Sequence, residues 1–380
     1  PHHHRRGPHQ PRLVRVADPV RRQHDDLVTG LPQADRQVVQ ALLGAGSIGT
    51  IMGALLCQSG QDVVLVDNFR AHVDTLNQCG AQIKGKMECT IPVQAISPEE
   101  MEGCYDLIVS LTKQTVLRLS LKNALPHMHA DTIILTLQNG IPEDISKEFV
   151  SQDKIMGGGV EFGATWLEPG VSELTTEPET LGITFGPLNG RITEDTKRVE
   201  QAFSGLHHTH VVDNILGLRY SKLTDNSTFS AMSAALGCCW GDILDSYAAM
   251  TCIAHLGREA AMVIEKTGVI PEKIFGFQPL VENLGFSSQA EMDTVIYDYW
   301  TPRYSPFRSC KASMLQDIEK GQPCEIDYIN GKFVTLGKQY KVATPFMESA
   351  VRIITMLQEK ELSLANAWDN LNDFPNPVWV

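Results

Sequence analysis

Short, mostly apolar runs alternate with amphipathic stretches over the first half of the chain. Four of these runs have the length and composition of buried strands, at 38–43, 63–66, 107–111 and 133–137. The stretches between them carry apolar residues at helical spacing. Strands and helices in alternation, with strands apolar on both faces, predict a parallel sheet covered by helices on both sides.

The pattern changes twice further along the chain. Residues 156–212 are richer in glycine and contain the apolar run 181–185, which predicts extra, partly antiparallel strands at one end of the sheet. From residue 214 the strand signals stop, and apolar stripes at helical spacing replace them. Six prolines between Pro271 and Pro345 divide this part into an expected six or seven helices.

Composition sets the first 36 residues apart from the rest. They contain seven Arg, four Asp and no Lys, a net charge of +3, whereas the whole chain of 380 residues carries −13 and the remainder therefore −16. We expect residues 1–36 to be a disordered leader or an appended segment and leave them out of the fold.

Charge and cysteine content exclude several classes of protein. The acidic remainder of the chain disfavours nucleic acid as a partner. No run of 18 apolar residues exists, so we expect no membrane-spanning helix. The nine cysteines are odd in number and scattered, with no Cys-x-x-Cys, which predicts neither a disulfide framework nor a metal site. A cytoplasmic protein is the expectation.

A glycine-rich turn is the strongest local signal. The sequence GAGSIG at 44–49 follows the first predicted strand and opens a helical pattern. In such a turn the first glycine permits a tight bend, the second lets a pyrophosphate approach the backbone, and the third lets the helix pack on the strand. A dinucleotide site is therefore predicted at Gly44, Gly46, Ser47, Ile48 and Gly49, the alternative being a structural turn.

Two strand ends add candidate cofactor contacts. Asp67 follows the second strand, 21 residues after Gly46, where a carboxylate accepts hydrogen bonds from the adenosine ribose hydroxyls. It favours NAD(H), although Arg70 could offset the charge of a 2′-phosphate. Asn139 follows the fourth strand at the ligand-binding edge of the sheet, where an Asn-Gly pair is also a common turn.

These signals together predict an α/β protein with an N-terminal Rossmann-type dinucleotide-binding domain followed by an all-helical C-terminal domain. We assign the dinucleotide-binding domain to residues 37–213, the helical substrate and catalytic domain to residues 214–372, and a tail to residues 373–380.

Two polar stretches of the helical part carry candidate chemistry. Lys222, Asn226 and Ser230 recur every four residues and are expected on one helix face, although a solvated face would have the same pattern. In the run 313–331 a glycine and a proline mark the end of one helix and the start of the next. Glu325 then lies in a first helical turn, where an ordinary N-terminal acid is also favoured.

The run 313–331, SMLQDIEKGQPCEIDYING, resembles the ketopantoate reductases (2-dehydropantoate 2-reductases). The resemblance extends from about residue 38 to residue 350, with the motifs in the same order. It implies an active site between a Rossmann domain and a helical domain, NADPH as the cofactor, and reduction of a 2-oxo acid. The implied reaction is 2-dehydropantoate to pantoate, in pantothenate and coenzyme A synthesis.

The resemblance also implies roles for single residues. Lys222 corresponds to the general acid, and Asn226 to a residue of the same substrate site. Ser313 and Glu325 correspond to residues that hold the substrate, and we expect Glu325 near Lys222, where it would help to keep the lysine charged. Asn139 corresponds to a residue near the nicotinamide.

Three positions depart from the family pattern. Lys113 corresponds to a further cofactor-site lysine, but its spacing to Gln114 is shorter than usual. Ser230 stands where a second asparagine is usual, and Asp67 where a basic residue is usual. A small 2-oxo acid is therefore the expected partner, with NADH or NADPH as cofactor. A reductase of another 2-oxo acid and a non-catalytic NAD(P)-sensing protein are the alternatives, and a homodimer stays open.

Overall fold

A computed structural model of the protein describes residues 38–274 and 276–376. The expected leader, residues 1–36, and the last four residues of the expected tail lie outside this range. Within it, no helix is both long enough and apolar enough to cross a membrane.

The strands of the described chain occupy its first part and end before residue 214, where the sequence pattern predicts the change. In chain order they are β1 (Val39–Leu43), β2 (Asp62–Val66), β3 (Ala81–Gly85), β4 (Cys89–Ile91), β5 (Gln94–Ile96), β6 (Tyr105–Ser110), β7 (Met128–Thr136), β8 (Ile155–Val160), β9 (Ala164–Glu168), β10 (Val171–Leu174), β11 (Gly182–Pro187) and β12 (His208–Val211). The four predicted strands correspond to β1, β2, β6 and β7.

Eight of these strands form one sheet in the order β12-β11-β8-β7-β6-β1-β2-β5. The six strands β8, β7, β6, β1, β2 and β5 pair in parallel, each with its neighbour in the sheet, and β11 pairs antiparallel with β8. The expectation of a parallel sheet with a partly antiparallel end is therefore confirmed. Strands β4, β3, β10 and β9 form a separate small sheet. The chain moves to opposite sides of β1 when it forms β2 and β6, which makes the carboxyl edge of β1 and β6 the switch point where ligands bind in such sheets.

Helices cover the sheet and make up nearly all of the second part. In chain order they are α1 (Ser47–Gln58), α2 (Arg70–Cys79), α3 (Gln114–Ala124), α4 (Glu143–Ser146), α5 (Glu194–Ala202), α6 (Ile215–Asp225), α7 (Ala231–Leu236), α8 (Trp240–Leu244), α9 (Tyr247–Thr267), α10 (Val281–Leu284), α11 (Gln289–Thr294), α12 (Thr301–Tyr304), α13 (Ser313–Glu319), α14 (Ile326–Tyr340) and α15 (Pro345–Gln358). The described chain after residue 214 thus has ten α-helices where six or seven were expected, because helices of four to six residues carry too few apolar positions to show a period.

The core is divided by the sheet and by the two parts of the chain. One face of the main sheet packs on α1 around Leu42 and Leu65, and the other face packs on α3 around Ile108 and Leu117. The helical part has its own core, with Trp300 and Phe333 completely buried. Helix α6 crosses from one part to the other, since Ile215 packs in a small cluster with residues of the sheet. This crossing holds α6 beside the carboxyl edge of the sheet.

Candidate active site

A cavity of about 590 Å³ lies at the carboxyl edge of β1 and β6, between the sheet and the helical part. It is lined by eleven of the thirteen residues that the sequence proposed for the site, namely Gly44, Gly46, Ser47, Ile48, Gly49, Asp67, Lys113, Asn139, Lys222, Ser313 and Glu325. The other two, Asn226 and Ser230, do not line it. Residues separated by up to 281 positions therefore meet in one place.

The glycine turn has the geometry that a dinucleotide requires. Gly44 has φ +95°, a conformation that side chains rarely adopt, and a Cβ atom on Gly49 would lie 2.1 Å from the Gly44 carbonyl oxygen. A Cβ atom on Gly46, by contrast, would meet nothing within 4 Å and would occupy open space. The first turn of α1 contains no acidic residue, and its N-cap residue is Gly46, which has no side chain to bond the first N–H groups of the helix. Space and free N–H groups for a pyrophosphate are therefore both present.

The His72 side chain forms hydrogen bonds with the glycine turn and with the turn between β9 and β10. Its Nδ1 accepts a hydrogen bond from the Gly170 backbone N–H at 2.9 Å, so the single ring proton must be on Nε2. Nε2 donates to the Ala45 carbonyl oxygen, which lies 2.6 Å away. The ring is buried. A neutral histidine of fixed tautomer thus ties α2 and the β9–β10 turn to the loop that would hold the cofactor.

Asp67 lies at the end of β2 and lines the cavity. One of its carboxylate oxygens accepts the Phe69 N–H, an Asx-type turn contact, and the other is not engaged in that turn. Arg70 does not line the cavity. Its guanidinium instead forms ion pairs with Asp74 at 2.9 Å and Glu100 at 2.8 Å. The negative charge of the Asp67 carboxylate is therefore not neutralised by Arg70.

Lys222 is a half-buried residue of α6 whose side chain reaches the cavity. Its Nζ lies 3.9 Å from the position of a Cβ atom built on Gly159 of β8. No hydrogen bond or ion pair to Nζ occurs within the described part of the chain. Burial lowers the pKa of the amine, and the nearby Arg219 lowers it further, while Asp225 and Glu161 oppose the shift. The amine is thus poised to release a proton more readily than an ordinary lysine.

A buried ion pair fixes α6 against the sheet one helical turn before Lys222. Arg219 Nη2 lies 2.6 Å from Glu143 Oε1, and both side chains are almost inaccessible to solvent. Arg219 also donates to the carbonyl oxygens of Gln138 and Thr136, which belong to the end of β7 and the loop after it. The guanidinium therefore connects α6, α4 and the strand end that leads to Asn139.

Glu325 lines the predicted cavity, and the basic side chain in contact with it is that of Lys113. Glu325 is the N-cap residue of α14, but its carboxylate makes no hydrogen bond to that helix; Oε1 instead accepts the Gln114 N–H at 2.8 Å, and Oε2 lies 4.0 Å from Lys113 Nζ. Burial raises its pKa, and the Lys113 charge opposes that shift. The charges that shift the Lys222 pKa come from Arg219, Asp225 and Glu161, so the expected pairing of Glu325 with Lys222 stays a prediction. Lys113 is the nearer cation because α14 packs beside the start of α3.

Lys113 itself spans the cleft. Its Nζ forms an ion pair of 2.6 Å with Asp317 of α13, in addition to the weaker contact with Glu325. Lys113 belongs to the loop after β6, whose residue Thr112 packs beside Gly44, so this pair joins the sheet part to α13 of the helical part. The sequence resemblance marked Lys113 as a cofactor-site residue, and its carboxylate partners are an addition from the structure.

The loop after β7 contains polar atoms that the sequence analysis missed. Gln114 Nε2 donates to the Asn139 carbonyl oxygen, and a Cβ atom on Gly140, which has φ +81°, would lie 2.2 Å from that same Nε2. Gln138 and Thr112 line the cavity, and Gln138 Oε1 and Thr112 Oγ1 are buried with no hydrogen-bond partner among the described residues. Such atoms are costly unless a ligand pairs them. Their positions directly after strands β6 and β7 were the available signal.

The remaining predicted residues differ in placement. Ser313 is the first residue of α13 and lines the cavity. Asn226 and Ser230 bound a π-helical turn, Asn226–Ser230, that interrupts the helix after α6. Ser230 is buried, whereas Asn226 is half-buried with its Nδ2 unpaired among the described residues. The regular four-residue spacing therefore did not bring these two side chains to the cavity wall that Lys222 reaches.

The sheet topology, the glycine turn at the switch point and the polar cleft define an α/β oxidoreductase that uses a nicotinamide dinucleotide. The chain belongs to the ketopantoate reductase family. Residues 40–190 match the family model described as "Ketopantoate reductase PanE/ApbA", and residues 214–358 match "Ketopantoate reductase PanE/ApbA C terminal". The resemblance noted in the sequence and the predicted fold class are both confirmed.

Relatives and solved structures agree with this family. The chain is 30% identical over 308 residues to 2-dehydropantoate 2-reductase of Pyrococcus abyssi, covering 80% of this chain and 92% of the relative. It is 29% identical over 306 residues to the enzyme of that name from Pyrococcus horikoshii, with the same coverage. A structure of D-mandelate dehydrogenase with NADH and anilino(oxo)acetate is also similar. Its TM-score is 0.71 at 25% identity, covering 85% of this chain and 99% of that one.

Proposed function

We propose that this protein reduces the ketone of a 2-oxo acid with NADH or NADPH, in the cleft between a dinucleotide-binding domain (residues 37–213) and a helical domain (residues 214–372). The observation that carries the proposal is that one cavity holds both the glycine turn and the Lys222 amine. A bound nicotinamide supplies the hydride. The protein must then supply a proton for the ketone oxygen and fixed contacts for the substrate.

Lys222 is the proposed proton donor. Its ammonium would polarise the ketone and protonate the developing alkoxide, a role worth on the order of 10²–10⁴ in rate. The lowered pKa suits this role because a weaker hold on the proton makes the amine a better acid at neutral pH. The amine has no protein partner that would compete with the ketone oxygen within the described chain.

Glu325 and Ser313, which line the same cavity as Lys222, are the proposed substrate holders. Glu325 is fixed by the Gln114 N–H, so its second oxygen is presented in a defined direction beside Lys113. Lys113 carries the positive charge that a substrate carboxylate or a cofactor phosphate would seek. Asn226 is proposed as a further substrate residue from the family resemblance; it does not line the cavity, and its buried Nδ2 has no partner among the described residues. Asn139, at the end of β7, is proposed to lie beside the nicotinamide.

NADH is the proposed cofactor in preference to NADPH. Asp67 repels a 2′-phosphate and accepts hydrogen bonds from the ribose hydroxyls, and Arg70 is held by Asp74 and Glu100. We expect Asp67→Ala to weaken NADH binding more than NADPH binding, because only the ribose diol loses an acceptor. Dissociation constants from fluorescence titration with both cofactors measure this. Equal NADH affinity in the variant and the wild type would reduce Asp67 to a turn residue.

Two substrate candidates follow from different observations. The names of the Pyrococcus relatives support 2-dehydropantoate, which would place the reaction in the cytoplasmic synthesis of pantothenate and coenzyme A. The similarity to D-mandelate dehydrogenase supports another 2-oxo acid. Steady-state rates with 2-dehydropantoate and a panel of 2-oxo acids, each with NADH and NADPH, distinguish them. Cofactor binding without turnover of any 2-oxo acid would instead support a sensor and contradict the proposal.

A further inference from the structure

A second cavity lies in the helical part of the molecule. Its volume is about 150 Å³, and four aromatic side chains form most of its wall, those of Trp240, Phe277, Tyr304 and Phe307. Asp225, Arg303 and Cys310 complete the wall. None of these seven residues has been assigned a role in the proposed function.

Two separate elements connect this cavity to the active-site cavity. On α6, Lys222 lines the first cavity and Asp225 lines the second, and residues three apart on a helix are neighbours on its surface. On the segment before α13, Cys310 lines the second cavity and Ser313 lines the first. Because both elements contribute to both walls, the second cavity adjoins the site of the Lys222 amine.

The aromatic wall is rigid and already formed. The ring of Tyr304 stacks on Phe229, with centroids 3.9 Å apart and planes 6° apart, and Trp240 lies 5.5 Å from Tyr304. Packed aromatic rings have few alternative rotamers, so the cavity needs no rearrangement to accept a ligand. Engineered apolar cavities of about 150 Å³ accept benzene, so this volume is suited to one six-membered ring.

Polar groups of the wall offer the ligand further contacts. Asp225 accepts a hydrogen bond from the Tyr304 hydroxyl at 2.6 Å, and the Arg303 guanidinium lies over the Tyr299 ring, 3.7 Å from its centroid. The wall thus carries one acidic and one basic side chain. Trp240 Nε1 is buried without a partner among the described residues, so a donor is available to a ring substituent.

We propose that the second cavity receives the side chain of the substrate, and that the preferred substrates are 2-oxo acids whose side chain is an aromatic or similarly bulky apolar ring. This inference rests on the proposed function, since it assumes that the reacting ketone lies at Lys222. It ranks a ring-bearing 2-oxo acid above pyruvate, whose methyl group leaves the cavity empty.

The test is the ratio of kcat/KM for phenylglyoxylate to kcat/KM for pyruvate, with 2-oxoglutarate and 2-dehydropantoate measured beside them. We expect a wild-type ratio of at least about tenfold, since even one methylene in a hydrophobic pocket is worth roughly 10–200-fold. Cys310→Leu adds volume to the wall and should lower the ratio by roughly tenfold or more. Cys310→Ser, of nearly unchanged volume, is the matched control and should keep the wild-type ratio.

A second variant protects the test against misfolding. Phe307 is 40% exposed, so Phe307→Ala is expected to fold, and it should lower the ratio by removing one ring from the wall. A wild-type ratio near one, or a ratio that neither Cys310→Leu nor Phe307→Ala changes, would overturn the inference while leaving a 2-oxo acid reductase intact. Failure to reduce any 2-oxo acid would overturn the proposed function itself, and the inference with it.

Discussion

The ion pair between Arg219 and Glu143 offers the sharpest test of how helix α6, which carries Lys222, is fixed against the sheet. In Arg219→Met the methionine fills much of the same space but leaves Glu143 in a site with no solvent access. One carboxylate oxygen would keep only the Thr136 hydroxyl, at 2.8 Å, and the other already has no partner among the described residues. The carbonyl oxygens of Gln138 and Thr136 would lose their guanidinium donors as well.

The expected cost follows from these losses. Breaking a buried pair by removing one partner typically lowers the free energy of unfolding by about 3–5 kcal/mol, because a charge is left uncompensated. We expect Arg219→Met to lose about that amount in urea unfolding. Arg118→Met is the matched control, since Arg118 pairs with Glu148 at a comparable 2.6 Å but on the exposed surface, and its loss should leave the free energy of unfolding nearly unchanged. The double variant Arg219→Met/Glu143→Met should be more stable than Arg219→Met alone.

A kinetic measurement separates a positioning role from a merely structural one. The Arg219 charge lowers the pKa of Lys222, and the ammonium is the active form of a proton donor. Reduction is therefore lost as the pH rises through the Lys222 pKa, and removal of Arg219 should move this alkaline limb of kcat/KM to higher pH. A loss of less than about 1 kcal/mol together with an unmoved alkaline limb would refute the role given to this pair.

Two further predictions concern the glycine turn and a buried histidine. Gly49→Ala should lower the free energy of unfolding, because its Cβ atom would lie 2.1 Å from the Gly44 carbonyl oxygen. Gly46→Ala should keep the free energy of unfolding of the wild type but bind NADH more weakly. Urea unfolding and fluorescence titration with NADH measure these effects, and equal effects of the two variants would contradict the open space found at Gly46 and the close contact found at Gly49. Burial lowers the pKa of His255 from 6.5 to about 4, so the unfolded chain takes up its proton first and the free energy of unfolding should fall by about 2 kcal/mol as the pH drops from 6.5 to 4. That decline should be smaller in His255→Phe, which can keep the stacking on Phe346, and an identical decline would contradict the assignment.

Local chemistry made the cofactor end of the molecule predictable. The glycine turn, the strand before it and Asp67 lie within 30 residues of one another, so their spacing alone constrains their geometry. The three glycines have the distinct environments that their order in the motif implies: a positive φ at Gly44, open space at Gly46 and a close approach at Gly49.

Contacts between distant residues were not predictable in the same way. Two lysines, Lys113 and Lys222, line the same cavity as Glu325, and no local sequence pattern indicates that α14 packs beside Lys113. The pair of Arg219 and Glu143 joins residues 76 positions apart, and neither has a distinctive neighbourhood in the sequence. The resemblance to a family indicates which residues share a site, whereas side-chain pairing depends on packing that only coordinates describe.

The turn after α6 illustrates a third limit. A spacing of four residues predicts one helix face only while the helix stays α-helical, and the π-helical turn at Asn226–Ser230 changes the number of residues per turn. The polar stretch was correctly found on a helix, but its last member, Ser230, is buried away from the cavity. The sequence contains no glycine or proline at this point that would have indicated the irregularity.

In the proposed reaction the Lys222 ammonium donates the proton to the ketone oxygen of a bound 2-oxo acid. Single-turnover and steady-state reduction by wild type and Lys222→Ala, at saturating NADH and with the NADH dissociation constant measured in parallel, test it most directly. We predict that the variant retains NADH affinity and loses roughly a hundredfold or more in turnover. Near-normal turnover with intact NADH binding would contradict the claim.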